Sequence, residues 1–224
     1  MRKLIKGIIN FHQNVREQIK DTFAQLALGQ KPDALFIACS DSRVAVNVFA
    51  STDPGDLFVI RNVGNLVPPS NLASLNESVL AAIEFALHTL KVSHIIICGH
   101  SDCGAMKAIF HGRQSLQYPY LRNWLQYADS LHNYLTSTQK HLSESEQIDE
   151  LSRQNIILQL NHLQSYDIVN QAITAGNLML HGMWFNIKDS TVHYWHKKTN
   201  TFHVIDPVEG TEILKQLDDL NFMH

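Results

Sequence analysis

Short apolar runs rich in β-branched residues alternate along this chain with segments whose apolar positions recur at helical spacing. That alternation predicts an α/β domain with a central, mostly parallel sheet flanked by helices. Ala34-Leu35-Phe36-Ile37-Ala38 and Ile95-Ile96-Ile97-Cys98 read as buried strands. Between them, Ser74-Leu75-Asn76-Glu77 has the form of a capping box, and Val79, Leu80, Ile83, Leu87 and Leu90 repeat behind it as a helix. Such a helix is the crossover that a parallel pair of strands requires.

The outer parts of the chain follow the same periods. Ile5 to Leu28 is helical in pattern with few aromatic anchors, which predicts an N-terminal arm. Tyr120 to Leu135 reads as an amphipathic helix, and Thr138 to Arg153 is polar enough to be a surface helix or loop. Ile156, Ile157, Leu160 and Leu163 mark another helix; Ile168, Val169, Ala172 and Ile173 continue after a break, and Gly176 stops them. Strands over Leu178 to Ile187, Thr191 to Trp195 and Thr201 to Ile205, with a turn at Lys197-Lys198-Thr199-Asn200, form a C-terminal hairpin extension. The expected organisation is one domain over 1–224: an arm to about residue 30, a core over 31–110, and helices and strands over 111–224.

Composition narrows the setting. With 224 residues, 45% of them hydrophobic, and six prolines scattered without a linker, the chain suffices for one sizeable core. A net charge of −3 leaves no electrostatic footprint for nucleic acid. Three cysteines make no disulfide framework, so a reducing, cytoplasmic setting is expected. No apolar run approaches the roughly 20 residues of a membrane span. Met1 to Ile9 begins like a signal peptide, but Lys6 breaks its apolar stretch, and it reads instead as the start of the arm.

The candidate chemistry lies just past the two strands. Cys39-Ser40-Asp41-Ser42-Arg43 and His100-Ser101-Asp102-Cys103 supply two thiols and an imidazole at strand ends, where loops of an open α/β sheet converge. Two thiolates and one imidazole are the ligand set of an open catalytic zinc site, whose fourth position is left to water. Bound zinc lowers the pKa of that water to about 7 and yields hydroxide at neutral pH. Cys103 reads as part of a helix opening with Ser101 as cap, where the helix dipole favours thiolate. Asp41 is the competing fourth ligand, and Arg43 is its restraint, because a guanidinium can take both carboxylate oxygens in a planar fork. Taken singly, Cys98 is packing, His181 a structural histidine and Asp102 a solvated or capping residue.

Phe36-Ile37-Ala38-Cys39-Ser40-Asp41-Ser42-Arg43-Val44 and Cys98-Gly99-His100-Ser101-Asp102-Cys103-Gly104-Ala105-Met106 resemble the two zinc motifs of the β-class carbonic anhydrases. Pro54 to Asn65, Ala82 to Leu87 and Leu180 to Phe185 are similar to that family as well. The resemblance implies one Zn2+ per chain on Cys39, His100 and Cys103, and reversible hydration of carbon dioxide to bicarbonate by zinc-bound hydroxide. It implies that Asp41 with Arg43 forms a dyad that orients the hydroxide, Asp41 swinging onto the metal in a closed state. By the same resemblance Gln30 reaches across a dimer to the substrate, Phe58, Val63 and Phe85 line an apolar pocket for carbon dioxide, and the Gly104 amide contacts bicarbonate. Phe85 replaces the tyrosine of plant-type members. Phe36 and Phe185 stand where some bacterial members carry the tryptophan and tyrosine of a regulatory bicarbonate site, so an open site is expected, although Arg61 matches that cluster's arginine. Self-association as a dimer or tetramer is implied too. Proton export has candidate shuttles in His88, His94 and His111, named for their nearness to the motifs in sequence. Two other readings use the same residues: hydrolysis of carbon disulfide or carbonyl sulfide on the same zinc fold, and a non-catalytic zinc or thiol interaction module.

Overall fold

The apolar runs form the inner strands of one sheet. The computed structural model describes residues 1–75, 77–132, 134 and 142–221. Its six strands are β1 (Ala34–Cys39), β2 (Leu57–Asn62), β3 (His94–His100), β4 (Met179–Asn186), β5 (Thr191–His196) and β6 (Thr201–Val204), ordered β2-β1-β3-β4-β5-β6. The first four strands in that order run parallel, and β5 and β6 add an antiparallel hairpin edge. The mostly parallel sheet with a C-terminal hairpin is the one expected from the sequence. β2 was not evident there: its burial is partial and alternating, as suits an edge strand, whereas β1 is buried at every position.

Alternation along the strands divides the core. Leu35, Ile37, Ile95 and Ile97 face one side, where they pack with Val79, Ile83, Ile156, Leu160 and Leu163. Phe36, Ala38, Ile96 and Cys98 face the other, with Val44, Val46 and Phe185, and there Phe49 stacks on Phe185 at 4.6 Å. A third cluster, with Met106, Ile109, Leu125 and Leu151, fills the space beyond the strand ends.

The helices in chain order are α1 (Arg2–Asn10), α2 (Arg16–Leu26), α3 (Val46–Phe49), α4 (Glu77–Glu84), α5 (Gly104–Phe110), α6 (Pro119–Trp124), α7 (Glu144–Gln164), α8 (Asp167–Thr174) and α9 (Pro207–Asn221). A π-helical turn joins α1 to α2, so the arm is helical over its expected length, yet neither helix buries a residue in this chain. The crossover helix α4 is in place; Asn76 and the side chain of Ser74, from the expected capping box, lie outside the described residues.

Two expectations from periodicity need correction. Tyr120 to Leu135 is not one amphipathic helix: after α6 the chain tightens into a 3₁₀ turn over Leu125–Ala128. Leu125, Tyr127 and Ala128 are all buried in that tighter turn. Leu135 lies outside the described residues. The stretch Thr138 to Arg153 is not a separate surface element either, and its residues 138–141 lie outside the described residues. From Glu144 onward it is the first half of the 21-residue α7, opened by a capping box at Ser143 and Glu146. Its polarity misleads because Ile148, Leu151 and Ser152 are buried, and Asn155 and Gln159 continue the buried polar row along the helix on the face turned to the sheet. Gly182 of β4 permits the close approach of that face, since a Cβ there would lie 2.9 Å from Ile156.

His181, read from the sequence as structural, is 8% exposed on β4. One ring nitrogen meets His94 Nδ1 at 3.0 Å and the other meets the Tyr194 hydroxyl at 2.9 Å. Burial disfavours its cation and pushes its pKa down to about 4. Below the ordinary histidine value the unfolded chain therefore binds a proton that the folded chain refuses. Stability is full above about pH 6.5 and falls as the pH drops toward 4. Between pH 7 and 5 the wild type should lose about 2 kcal/mol more than His181→Gln, measured by urea unfolding at both pH values.

Candidate metal centre

β1 and β3 are adjacent and in register, Ala38 opposite Cys98, so Cys39 and His100 emerge side by side at their carboxyl ends. A tight turn then brings Cys103 back as the N-cap of α5. One ligand atom from each of Cys39, His100 and Cys103 lies within 4.8 Å of the others, and all three residues are buried. Ser101 does not cap α5 as expected. Its hydroxyl accepts the Ile187 N–H at 2.9 Å, tying the turn to the end of β4.

The donor chemistry fits a thiophilic divalent ion. His100 Nδ1 lies 2.9 Å from the Ser101 carbonyl, so that nitrogen carries the proton and leaves Nε2 with its lone pair free. His100 Nε2 is a buried atom without a hydrogen-bond partner. Cys39 and Cys103 share one proton: the bond from Cys103 holds the Cys39 thiol well below its ordinary value, at about 4, while that bond and burial push Cys103 up. A cation placed among the sulfurs would replace the shared proton. Cys98, by contrast, is fully buried in β3, and desolvation pushes it up to about 12, as befits packing.

The surroundings hold the Cys39 loop from three sides. The Gly64 N–H points at Cys39 Sγ at 3.4 Å, and the Arg61 guanidinium donates to the Cys39 and Asp41 carbonyls at 2.6–3.0 Å. Arg43 takes Asp41 in a fork, Nε to Oδ1 at 3.0 Å and Nη2 to Oδ2 at 2.8 Å. This bond holds the Asp41 carboxyl well below the ordinary carboxylate range. Asp41 is not among the clustered ligand atoms.

Asp102, within the second motif, and three polar residues of α7 extend this frame, and nothing in local spacing pointed to those three. Asp102, expected to be solvated or capping, takes Arg43 Nη1 at 2.8 Å and adopts φ +52°. Its N–H goes to Asp149 of α7 at 2.7 Å. Ser152 exchanges bonds with both the N–H and the carbonyl of His100, at 3.2 and 2.7 Å. Asn155 donates to the Gly64 carbonyl at 2.9 Å.

A model of the carbonic anhydrase family matches residues 34–192. The carbonic anhydrase of Pseudomonas aeruginosa is 40% identical over 192 residues, 86% of either chain. The chain belongs to the β-carbonic anhydrases. The solved β-carbonic anhydrase CcaA superposes with a TM-score of 0.86 at 37% identity, over 91% of this chain and 98% of that one. One of two tetrameric β-carbonic anhydrases from Sordaria macrospora gives 0.78 at 27% identity, over 86% and 95%. β-Carbonic anhydrases use zinc, and the Cys39, His100 and Cys103 cluster could hold one zinc ion.

The expected substrate residues do not all gather at this centre. Gly104 opens α5 beside Cys103, and Val63 follows the end of β2, its carbonyl accepting the Trp124 indole N–H at 2.6 Å. Phe58 and Phe85 meet each other, rings 5.7 Å apart, but Phe58 pairs with Leu35, four residues back along β1 from Cys39. Val63 and Phe85 are each 42% exposed, and Gln30 lies exposed before β1. The named shuttles have other surroundings. His94 begins β3, about 20 Å from its carboxyl end at roughly 3.3 Å per residue; His88 lines a cavity beside Lys91 and Met179, and His111 pairs with Glu144 at 3.2 Å.

Gly64 holds φ +82°, and a Cβ there would lie 2.9 Å from the Ala105 Cβ. Gly64→Ala should cost about 2–4 kcal/mol by backbone strain and overlap together, read as a lowered Tm. It should also release zinc faster to a chromophoric chelator, because the N–H on Cys39 moves with the turn.

Proposed function

We propose that this chain catalyses the reversible hydration of carbon dioxide to bicarbonate with zinc on Cys39, His100 and Cys103. The observation that carries the reading is the pairing of a Cys2His cluster with a carboxylate that Arg43 keeps aside from it. A purely structural zinc site normally fills its four positions with protein ligands. Zinc held here supplies a Lewis acid that brings the pKa of a coordinated water down to about 7.

The chain's own residues do the rest. Asp41 remains ionised across neutral pH because Arg43 stabilises its anion, so it accepts a hydrogen bond from the nucleophile and fixes its direction. Arg43 is fixed in turn by Asp102. The Gly104 N–H, in the first turn of α5, is a donor for bicarbonate. Phe58, Val63 and Phe85 form an apolar wall that admits carbon dioxide and excludes water, and Gln30 orients the substrate from across a subunit interface.

That interface is part of the proposal. The arm exposes Leu4, Ile5, Ile8, Ile9 and Phe11, each at least 43% accessible, on helices that bury nothing within the chain. Docked on a second copy, the arm would cover this surface, and Phe58 and Phe85 would wall a partner's centre more readily than their own. A dimer or tetramer in the cytoplasm is the assembly we propose. The three free cysteines suit a reducing compartment, and no helix among the described residues is long and apolar enough to cross a membrane.

Asp41→Asn should keep one zinc per chain yet lose at least about 10-fold in stopped-flow carbon dioxide hydration near neutral pH. An unchanged rate would remove Asp41 from the mechanism. Ile8→Glu should shift the sedimentation mass toward the single chain and lower hydration while the Cys2His zinc remains. A fully active monomer would show that each subunit is self-sufficient.

A further inference from the structure

The hairpin edge carries a second cluster of metal-ligating groups, on a face remote from the strand ends that hold the Cys2His centre. In the β5–β6 register His196 lies opposite Thr201 and Tyr194 opposite His203, so both histidines project from the same face. Their rings are 4.7 Å apart. The first turn of α9 brings Glu209 to them, fixed by Asp206, whose Oδ1 accepts the N–H of Val208 at 2.9 Å and of Glu209 at 2.8 Å. Glu209 Oε1 lies 2.6 Å from His196 Nε2, and Oε2 lies 3.5 Å from His203 Nδ1.

These contacts do not satisfy the groups that make them. His196 Nε2 and Glu209 Oε1 are buried atoms that make no hydrogen bond despite their closeness. Ligand atoms of all three residues lie within 4.8 Å of one another. His203 is also oriented from behind: Thr201 Oγ1, itself 2.7 Å from Thr199 Oγ1, meets His203 Nε2 at 3.0 Å. With the ring proton on Nε2, the Nδ1 lone pair faces Glu209, as in metal-binding histidines whose other nitrogen is held by an outer partner.

The geometry points to a second divalent-metal site formed by His196, His203 and Glu209, taking a borderline first-row ion such as Zn2+ and clamping α9 to the hairpin. Two imidazoles and a carboxylate suit such an ion, whereas calcium or magnesium would want oxygen ligands. The remaining coordination positions go to water, so this site binds more weakly than the buried thiolate centre.

The test uses tag-free enzyme with its Cys2His site already loaded, titrated with Zn2+ by calorimetry and followed by Tm. The wild type should take up one further equivalent and gain Tm as it does so. His203→Gln and Glu209→Gln should bind that equivalent at least about 10-fold more weakly and lose the Tm gain, with carbon dioxide hydration unchanged. Thr201→Val, which removes only the outer partner, should weaken binding by about 10-fold. No second equivalent, or one bound equally by all these variants, would overturn the site: the first means a plain ion pair of His196 with Glu209, the second an ion on other histidines.

Discussion

Two sulfurs placed together in a buried pocket set the terms for this structure. Both become good ligands only as anions, and burial resists that, so the pair retains one proton between them unless a cation takes its place. The architecture around them lowers the cost of negative charge. A backbone N–H from Gly64 points at Cys39, and the guanidinium of Arg61 holds the carbonyls on either side of the loop. The parallel, in-register pairing of β1 and β3 is what delivers Cys39 and His100 to one place without strain in the strands.

The two arginines divide the work. Arg61 grips main chain only and so fixes where the Cys39 loop lies, while Arg43 grips the Asp41 carboxylate and so fixes what that carboxylate can reach. Behind them α7 acts as a polar strut. Asp149, Ser152, Asn155 and Gln159 recur at helical spacing and bond to Asp102, His100, Gly64 and Val67 in turn. A helix buried against a sheet would ordinarily present only apolar side chains; this one spends part of its inner face on positioning the loops at the strand ends.

The single chain leaves apolar surface uncovered in a consistent way. The arm has an apolar face with nothing beneath it, and Val63 and Phe85 carry apolar surface into solvent. Exposed apolar area of this extent is what an interface between copies would cover. The hairpin and α9 meet at the opposite edge, where Glu209 pairs with His196 and His203.

Local sequence was enough for the inner strands, the crossover helix, the arm and the ligand set, because each is written in short-range periodicity or in residues whose chemistry is unusual together. β1 and β3 are continuous apolar runs, and Cys39, Asp41, Arg43, His100 and Cys103 sit directly after them. What the sequence could not determine depends on contacts between residues far apart. Ser101 leaves its helix to bond Ile187; Asp102 joins Arg43; and the polar stretch before Arg153 is turned inward because the partners of Asp149 and Ser152 are 47 and 52 residues away in the chain. Likewise His94 is near the motif in number yet a strand's length from it in space. A polar side chain carries no local mark of whether water or a distant backbone group will satisfy it, and only the packed tertiary structure makes that choice.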